Sequence, residues 1–296
     1  MTSPAADCLL GARSEDGSLL ARVAVTTGLC RRAWELHHTS PTATAALGRA
    51  LTGALLLGSL LKGRQSVLLQ WRGDGPLGAV VAEAKADLTA RGYVSHPQAE
   101  VPSRGGKLDV GAAVGRNGQL VVVKDYGLKE PYVSTVPLQT GEMGDDLAFY
   151  LLSSEQIPSA VALGVYVARD RSVEAAGGIL VEALPSASPQ TVDRAAENLA
   201  HLGSVTEVLR AGEGADGLLA RALEGIPFSS VPLGEPAYVC SCSPERLEAT
   251  LAALGDDEVR AILEQEGEIR AQCAFCAAEW RKKAMGGRWR RADGRG

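Results

Sequence analysis

The segment Cys240–Cys276 reads CSCSPERLEATLAALGDDEVRAILEQEGEIRAQCAFC and holds four of the six cysteines of this 296-residue chain. These cysteines form two pairs, Cys240-Ser241-Cys242 and Cys273-Ala274-Phe275-Cys276. Each pair can supply two thiolates from one tight turn, and two such turns suit a tetrahedral Zn²⁺ site with no open coordination position. The spacing therefore predicts one structural zinc ion per chain, bound by Cys240, Cys242, Cys273 and Cys276.

The same two pairs can also be oxidised. Cysteines at i and i+2, or at i and i+3, can bring their Cα atoms within the roughly 4.4–6.8 Å that a disulfide tolerates. Oxidation would remove two electrons from each pair, and the metal would lose its ligands. The pattern thus allows a redox switch. A disulfide oxidoreductase using Cys273-x-x-Cys276 is an alternative, but it needs the motif at a helix start, and a short strand is predicted at residues 268–272.

Little chain lies between the two cysteine pairs. Ser243 is a predicted helix cap before Pro244, the first helix ends at Gly255, and a second helix spans 256–265. A core of this size is too small to hold its shape unaided, whereas a structural zinc contributes on the order of 10–16 kcal/mol to such modules. We expect this part of the chain to unfold when the metal is removed.

The composition and residue patterns of the chain argue against several classes of function. The chain is 46% hydrophobic and 4% aromatic, and its net charge of −5 argues against nucleic acid as the main partner. The amino-terminal residues show no secretory pattern, and the apolar stretch between Arg49 and Lys62 is shorter than the roughly 20 residues that a membrane span needs. We expect a cytoplasmic protein that does not contact the membrane. Cys8 and Cys30 are interpreted as small buried hydrophobes. No catalytic constellation is present, so an enzyme is not expected.

One helix should organise the first part of the chain. Ser40 is a predicted cap, Pro41 takes the first helical position, and leucines continue at helical spacing to Leu61. From Ala54 onward the helix is apolar nearly all round, which indicates a position inside the domain. Gly53 and Gly58 would allow neighbouring backbone to approach closely. Several antiparallel-looking strands surround this helix in sequence, so the fold class is α+β.

Two glycine-containing patterns have ambiguous meanings. The segment 73–78, GDGPLG, matches the dinucleotide fingerprint G-x-G-x-x-G, which requires a helix to begin there. The next residues suit a strand, so a β-turn is favoured over a nucleotide site. Asn117-Gly118 predicts a hairpin turn, because both residues accept positive φ angles. Residues 9–35 are predicted to form a strand, a turn and a second strand.

Composition changes near residue 185. A helix is predicted from Pro189 with Ser188 as its cap, whereas Ile226–Pro236 contains three prolines and is predicted to be irregular. Segment 185–236 has few large apolar residues, which is typical of a connector that opens at little cost. The tail from residue 282 onward is basic and is predicted to be a disordered, solvated end, with RNA binding as the alternative.

The sequence resembles the heat shock protein 33 family of redox-regulated chaperones. The most specific resemblance is Cys240-x-Cys242-Ser243-x-Glu245-Arg246 followed by Leu254-Gly255 and Cys273-x-Phe275-Cys276. Further matches occur in the order that the family uses: Ala43-x-Ala45, Leu47-Gly48-Arg49, Leu61-Lys62-Gly63, Gly73-x-Gly75-Pro76-Leu77, Arg91-Gly92-Tyr93 and Ser154-Glu155-Gln156. Trp280 fills a common aromatic position. The departures are Glu182, where glutamine is expected, and the basic tail.

The resemblance implies a fold and a mechanism. The fold would be a layered β/α/β core around a buried helix (1–184), a metastable helical linker (185–236) and a zinc-binding redox-switch domain (237–281), followed by the tail (282–296). The reduced, zinc-bound form would be inactive. Oxidation would join Cys240 to Cys242 and Cys273 to Cys276, release zinc and unfold the linker. The exposed surface would hold unfolding client proteins without ATP, and the oxidised chain would form a homodimer.

The alternative from another class is a zinc-stabilised RNA-binding protein that uses the basic tail. It predicts a salt-dependent affinity for RNA that is lost when residues 281–296 are deleted.

Overall fold

The structure, a computed structural model, describes residues 6–292 and divides the chain into two compact units, Met1–Tyr238 and Val239–Gly296. They are called unit 1 and unit 2 below. Within the described residues, no helix combines the length and apolar character that crossing a bilayer would require.

Two antiparallel sheets form the outer layers of unit 1. The first, sheet A, has the order β10-β1-β2-β9-β8, and the second, sheet B, has the order β11-β5-β4-β3-β6-β7 with only β11 parallel to its neighbour. The strands of sheet A are β1 (Cys8–Ser14), β2 (Leu19–Val25), β8 (Ser159–Val167), β9 (Val173–Ala183) and β10 (Phe228–Gly234). Those of sheet B are β3 (Ser66–Arg72), β4 (Ala79–Lys85), β5 (Thr89–Val94), β6 (Gln119–Asp125), β7 (Tyr132–Pro137) and β11 (Ala237–Tyr238).

Helix α2 (Pro41–Gly58) lies between the two sheets. Every residue of this helix except Pro41 and Arg49 is buried, and it contacts β3, β4 and β5 on one side and β2, β8 and β9 on the other. Ser40 caps the helix by accepting the Ala43 backbone N–H at 3.2 Å. The buried helix and the layered α+β fold predicted from the sequence are therefore confirmed.

Close packing explains part of the glycine pattern of α2. A Cβ on Gly58 would lie 3.3 Å from the Lys85 carbonyl oxygen, so backbone does approach there as predicted. A Cβ on Gly53 would instead meet the side chain of Leu147 at 2.6 Å. Leu147 belongs to α4 (Met143–Ser153), which packs against α2.

The prediction of only strands over residues 9–35 is wrong at its end, because α1 (Thr27–His37) follows β2. The Asp7 carboxylate accepts the backbone N–H groups of Gly28 and Leu29 at 2.8 and 2.7 Å, so it satisfies the helix start from 21 residues away. Burial raises the pKa of Asp7. When the group that caps a helix start is distant in sequence, the residues next to the helix carry no signal that predicts it.

The glycine-rich segment 73–78 is a turn between β3 and β4, and no helix begins there. A Cβ on Gly73 would lie 2.1 Å from the Val114 carbonyl oxygen, so these glycines are needed for a close approach of backbone. The predicted hairpin at Asn117-Gly118 is wrong. This segment joins the short helix α3 (Val110–Val114) to β6, and the Asn117 side chain donates to Asp74 at 2.7 Å.

The segment after residue 185 forms three helices that belong to a second apolar cluster on sheet A. They are α5 (Pro189–His201), α6 (Val205–Arg210) and α7 (Gly214–Ala222). Leu218 and Leu219 share this cluster with Val23, Ile179 and Val181 of the sheet. The sequence interpretation of 226–236 as irregular is wrong for β10, which is an edge strand of sheet A. Prolines are tolerated on such edges because the outward N–H needs no ladder partner.

Unit 2 contains two helices and a three-stranded antiparallel sheet. The elements are α8 (Pro244–Leu254), α9 (Asp256–Glu266), β12 (Ile269–Gln272), β13 (Glu279–Lys282) and β14 (Arg290–Arg291). The prediction of a disordered tail does not describe the residues up to Ala292, because β14 pairs with β13 and Trp289 is buried. The expectation for residues 293–296 lies outside the described residues. The sequence missed this strand because two residues carry no usable periodicity.

Candidate metal centre

The four clustered cysteines come from two turns of unit 2. Cys240 and Cys242 lie just before α8, whose first turn is capped by Ser243. Cys273 and Cys276 lie in the turn between β12 and β13, where the Cys273 N–H donates to the Ala278 carbonyl at 2.9 Å. The structure thus brings all four predicted ligands together from positions more than 30 residues apart.

The sulfur positions fit a tetrahedral ion. All four Sγ atoms lie within 4.8 Å of one another; those of Cys240 and Cys273 are 3.6 Å apart, and those of Cys242 and Cys276 are 3.5 Å apart. Four sulfurs at about 2.3 Å from Zn²⁺ would be about 3.8 Å apart. The separations are therefore close to those of a four-thiolate metal site and far longer than a disulfide bond.

The thiols influence one another's protonation. The side-chain hydrogen bond with Cys240 and then burial raise the pKa of Cys273 far above its ordinary value, whereas the N–H groups of Cys276 and Phe275 act against this shift. Burial and the contact with Cys242 raise the pKa of Cys276 to about 11. A bound divalent cation would favour the thiolates, because its charge opposes these effects.

A small apolar core lies beside the thiol cluster. It consists of Val259, Ile269, Ala278, Trp280 and Trp289, with Cys242, Cys273 and Cys276 packed against it. No other part of unit 2 within the described residues contains a buried hydrophobic residue. The candidate metal site and the apolar core of unit 2 therefore share residues, so a change in one is expected to affect the other.

An ion pair links this core to α8. Lys282 is only 3% exposed, and its Nζ donates to both Glu248 carboxylate oxygens at 2.6 and 2.7 Å. Trp289 Nε1 donates to the same carboxylate at 2.9 Å. The hydrogen bonds from Lys282 and Trp289 lower the pKa of Glu248. The last segment of the chain is therefore tied to the helix that follows the first cysteine pair.

Sequence reasoning missed the roles of Lys282, Glu248 and Trp289. Lys282 and Glu248 are ordinary charged residues in a charged region, and only the fold brings them together. Trp289 offered a signal, because a tryptophan is unusual in an otherwise basic, polar tail.

The other cysteines lie in unit 1, and none of the six is in a disulfide. Cys30 is 1% exposed, and burial raises its pKa to about 12, which confirms the interpretation as a small buried hydrophobe. Cys8 is only half-buried, at the edge of the second apolar cluster.

The layered β/α/β core is followed by a module whose four thiols could hold a metal ion, and this arrangement is the one that the comparisons with known proteins assign to a family of chaperones. A family model described as Hsp33 protein matches residues 7–282. The chain belongs to the Hsp33 family.

Similar proteins extend over almost the same length. The 33 kDa chaperonin of Geobacter sulfurreducens is 47% identical over 274 residues, which cover 93% of this chain and 91% of that protein. The 33 kDa chaperonin of Thermoanaerobacter sp. is 40% identical over 276 residues, covering 93% and 94%. The crystal structure of the 33 kDa chaperonin from Thermotoga maritima superposes with a TM-score of 0.86 at 33% identity, covering 94% of this chain and 95% of that one.

This chain is accordingly an Hsp33 family chaperone, and membership implies binding to unfolded client proteins. The relatives are named as chaperones rather than as enzymes. The family match ends at Lys282. Trp289 and β14 therefore belong to an extension outside the matched region.

Proposed function

We propose that this chain is a redox-regulated, ATP-independent holdase that protects unfolding proteins from aggregation under oxidative stress. The observation that carries the proposal is the set of four thiol sulfurs within 4.8 Å of one another, three of which belong to cysteines packed against the only apolar cluster in the described part of unit 2. A reaction that takes these sulfurs away from a bound metal ion would therefore also destabilise the fold of unit 2.

In the resting form, Cys240, Cys242, Cys273 and Cys276 hold one Zn²⁺. Thiolates in this number and geometry favour zinc over hard cations, which prefer oxygen ligands. The five buried hydrophobic residues in the described part of unit 2 give little hydrophobic stabilisation, so the metal supplies much of its folding free energy, on the order of 10–16 kcal/mol. The reduced form is inactive because unit 2 and the linker stay folded.

Activation is an oxidation of both cysteine pairs. The thiolates of Cys240 and Cys242 give two electrons to one molecule of hydrogen peroxide, which takes up two protons and leaves as two molecules of water while one S–S bond forms. Cys273 and Cys276 react in the same way with a second peroxide. Zinc leaves as Zn²⁺, because disulfide sulfurs are poor ligands.

The unfolding that follows loss of the metal then extends to the linker. We place the linker at 185–236, between the core (1–184) and the module (237–281). Helix α5 has one buried residue, Ala195, so its release costs little packing. Detachment of α5–α7 would uncover apolar residues of sheet A that include Val23, Ile179 and Val181. This surface would bind client proteins and would also allow the oxidised chain to dimerise. We place this activity in the cytoplasm.

The test measures zinc and thiols together. The full-length reduced chain is treated with peroxide at raised temperature, and released zinc, remaining thiols and suppression of client light scattering are followed over time. We expect one zinc ion released and four thiols lost in parallel, with chaperone activity appearing at the same rate. Equal suppression by the reduced and oxidised forms would disprove the switch while leaving a chaperone.

Two serine variants assign the ligands. Cys273→Ser should hold zinc poorly and show activity without oxidant, because three thiolates no longer complete the site. Cys8→Ser is the matched control, since Cys8 is also partly buried but lies in unit 1. It should keep zinc and respond to peroxide like the parent. One tightly held zinc per chain in Cys273→Ser would contradict the ligand assignment.

A further inference from the structure

The sheet of unit 2 carries three arginines in register on one face. Arg270 of β12 lies opposite Arg281 of β13, and Arg281 lies opposite Arg290 of β14. Directly opposite residues in an antiparallel sheet point to the same side, and strands are about 4.8 Å apart. The three guanidinium groups therefore start from backbone positions that span only about 10 Å.

The opposite face of the same sheet is the one that packs. Ile269, Trp280 and Lys282 alternate with the arginines along the strands and are buried, whereas Arg270, Arg281 and Arg290 are exposed. The arginines are therefore not needed for the core. We call the outward side of β12, β13 and β14 the arginine face.

Acidic neighbours neutralise this face only in part. Glu268 accepts a hydrogen bond from Arg270 at 2.8 Å, but Arg281 lies 3.9 Å from both Glu268 and Glu279, which is too long for a hydrogen bond. Arg290 makes no ion pair within residues 6–292. Aligned like charges destabilise a sheet. An external anion would offset this cost.

The chemistry of the face decides which anion. Its remaining outward residues on β12 and β13 are Gln272 and Glu279, and no apolar side chain is among them. Most protein interfaces have an apolar centre, and amphipathic membrane-surface segments insert apolar side chains. The phosphate backbone of a nucleic acid needs neither, because charge and guanidinium–phosphate hydrogen bonds are enough. Trp280 and Trp289 are both buried, so neither offers a ring on which a base could stack.

The charge of the rest of unit 2 would confine such a ligand to this face. The segment 244–266, which forms α8 and α9, contains seven acidic and two basic residues. The connector between β13 and β14 contains two further exposed basic residues, Lys283 and Arg288. The net charge of the whole chain is −5, but the charge is unevenly distributed: in unit 2 a basic sheet lies beside acidic helices.

We propose that the arginine face binds the phosphate backbone of nucleic acid without reading its bases. The site is a folded sheet that includes β12, not a disordered tail. Arg270 and Arg281 lie inside the segment matched by the family model, and Arg290 lies in the extension beyond it. The proposal is independent of the redox switch, since it concerns the reduced, folded module.

The test uses the full-length, reduced, metal-loaded chain and a fluorescein-labelled oligouridylate of about twelve nucleotides, a length within single-strand site sizes. Fluorescence anisotropy should give a Kd on the order of 10⁻⁵ M near physiological salt. Between about 50 and 200 mM KCl, log Kd should rise with log salt concentration with a slope of about 2, as three phosphate contacts at about 0.7 each require. Oligothymidylate should bind equally well.

Point variants on the exposed face separate binding from folding. Arg290→Gln should weaken binding about three- to tenfold and reduce the slope by about 0.7, whereas Arg290→Lys should keep most of the affinity. Arg260→Gln on α9 is the matched control and should change neither value. Zinc content checks that each variant is folded, and Arg270→Gln replaces Arg290→Gln if the latter loses metal.

Three results would overturn the proposal. One is an Arg290→Gln or Arg270→Gln chain that binds RNA as tightly as Arg260→Gln. Another is a strong dependence of affinity on base identity. The third is displacement of the oligonucleotide by polyglutamate as effectively as by unlabelled RNA of equal charge, which would assign the face to acidic protein segments instead.

Discussion

Replacing Trp289 by alanine is the most informative perturbation of unit 2, because this residue lies outside the family match yet inside the core that carries the thiols. Its side chain is 8% exposed, and its Nε1 donates to Glu248. The Lys282 ammonium lies 5.9 Å from its ring. Trp289→Ala should therefore damage the module without touching a ligand.

The expected size of the effect follows from coupled folding. Replacing a buried tryptophan by alanine costs about 3–5 kcal/mol. Since we expect the metal-free module to be unfolded, the whole cost appears in the apparent zinc affinity. At about 1.4 kcal/mol per factor of ten, zinc affinity should fall roughly 150- to 4,000-fold. Trp289→Phe keeps an aromatic ring and should lose only about 10- to 150-fold, because it removes a hydrogen bond to a carboxylate worth about 1.5–3 kcal/mol.

The assay is a competition for zinc between the full-length chain and a chromophoric chelator. Trp34→Ala is the matched control, because Trp34 is partly buried in unit 1 and should leave zinc affinity unchanged. Trp289→Ala should also release zinc and gain chaperone activity at a lower peroxide concentration or a lower temperature than the parent. A zinc affinity of Trp289→Ala within threefold of the parent would refute the view that the extension stabilises the metal module.

Three further outcomes are expected. Chelation of zinc from the reduced chain should abolish the cooperative unfolding signal of unit 2 while unit 1 keeps its own transition, and a single unchanged transition would contradict this. Gly92→Ala should destabilise unit 1 by about 1–3 kcal/mol, because its Cβ would lie 2.6 Å from the Val81 carbonyl oxygen, and zinc content should not change. Burial of Glu182 raises its pKa despite the attraction of Arg22, so the folded state favours the protonated acid. The parent should therefore lose stability as pH rises above the unfolded value of about 4.3. Glu182→Gln should be more stable than the parent near neutral pH and equal to it near pH 4, as thermal unfolding at both values would show.

Local sequence signals were sufficient where the structure depends on residues that are close together in the sequence. Ser40-Pro41 and Ser243-Pro244 marked helix starts that the structure places at the same residues. The apolar surface all round α2 predicted its burial, because only an interior position covers every side of such a helix. The two cysteine pairs likewise predicted a four-thiol cluster, since short spacings fix two sulfurs on one turn.

The failures have a common physical cause, which is a partner distant in sequence. Helix α1 begins where the Asp7 carboxylate accepts its first N–H groups, and β10 is a strand because β1 offers it an edge. Asn117 takes part in a connection to Asp74 rather than in a hairpin. Propensity and turn chemistry are weak terms, and tertiary hydrogen bonds outweigh them at these places.

The sequence by itself determined the four-cysteine cluster, the buried helix and the α+β class, because each is encoded in residue type and short spacing. Only the tertiary structure decided that the basic end of the chain folds back as β14, that Trp289 joins the core around the thiols, and that Arg270, Arg281 and Arg290 align across three strands. Strand register is set by pairing between distant segments, and no pattern within one segment contains it.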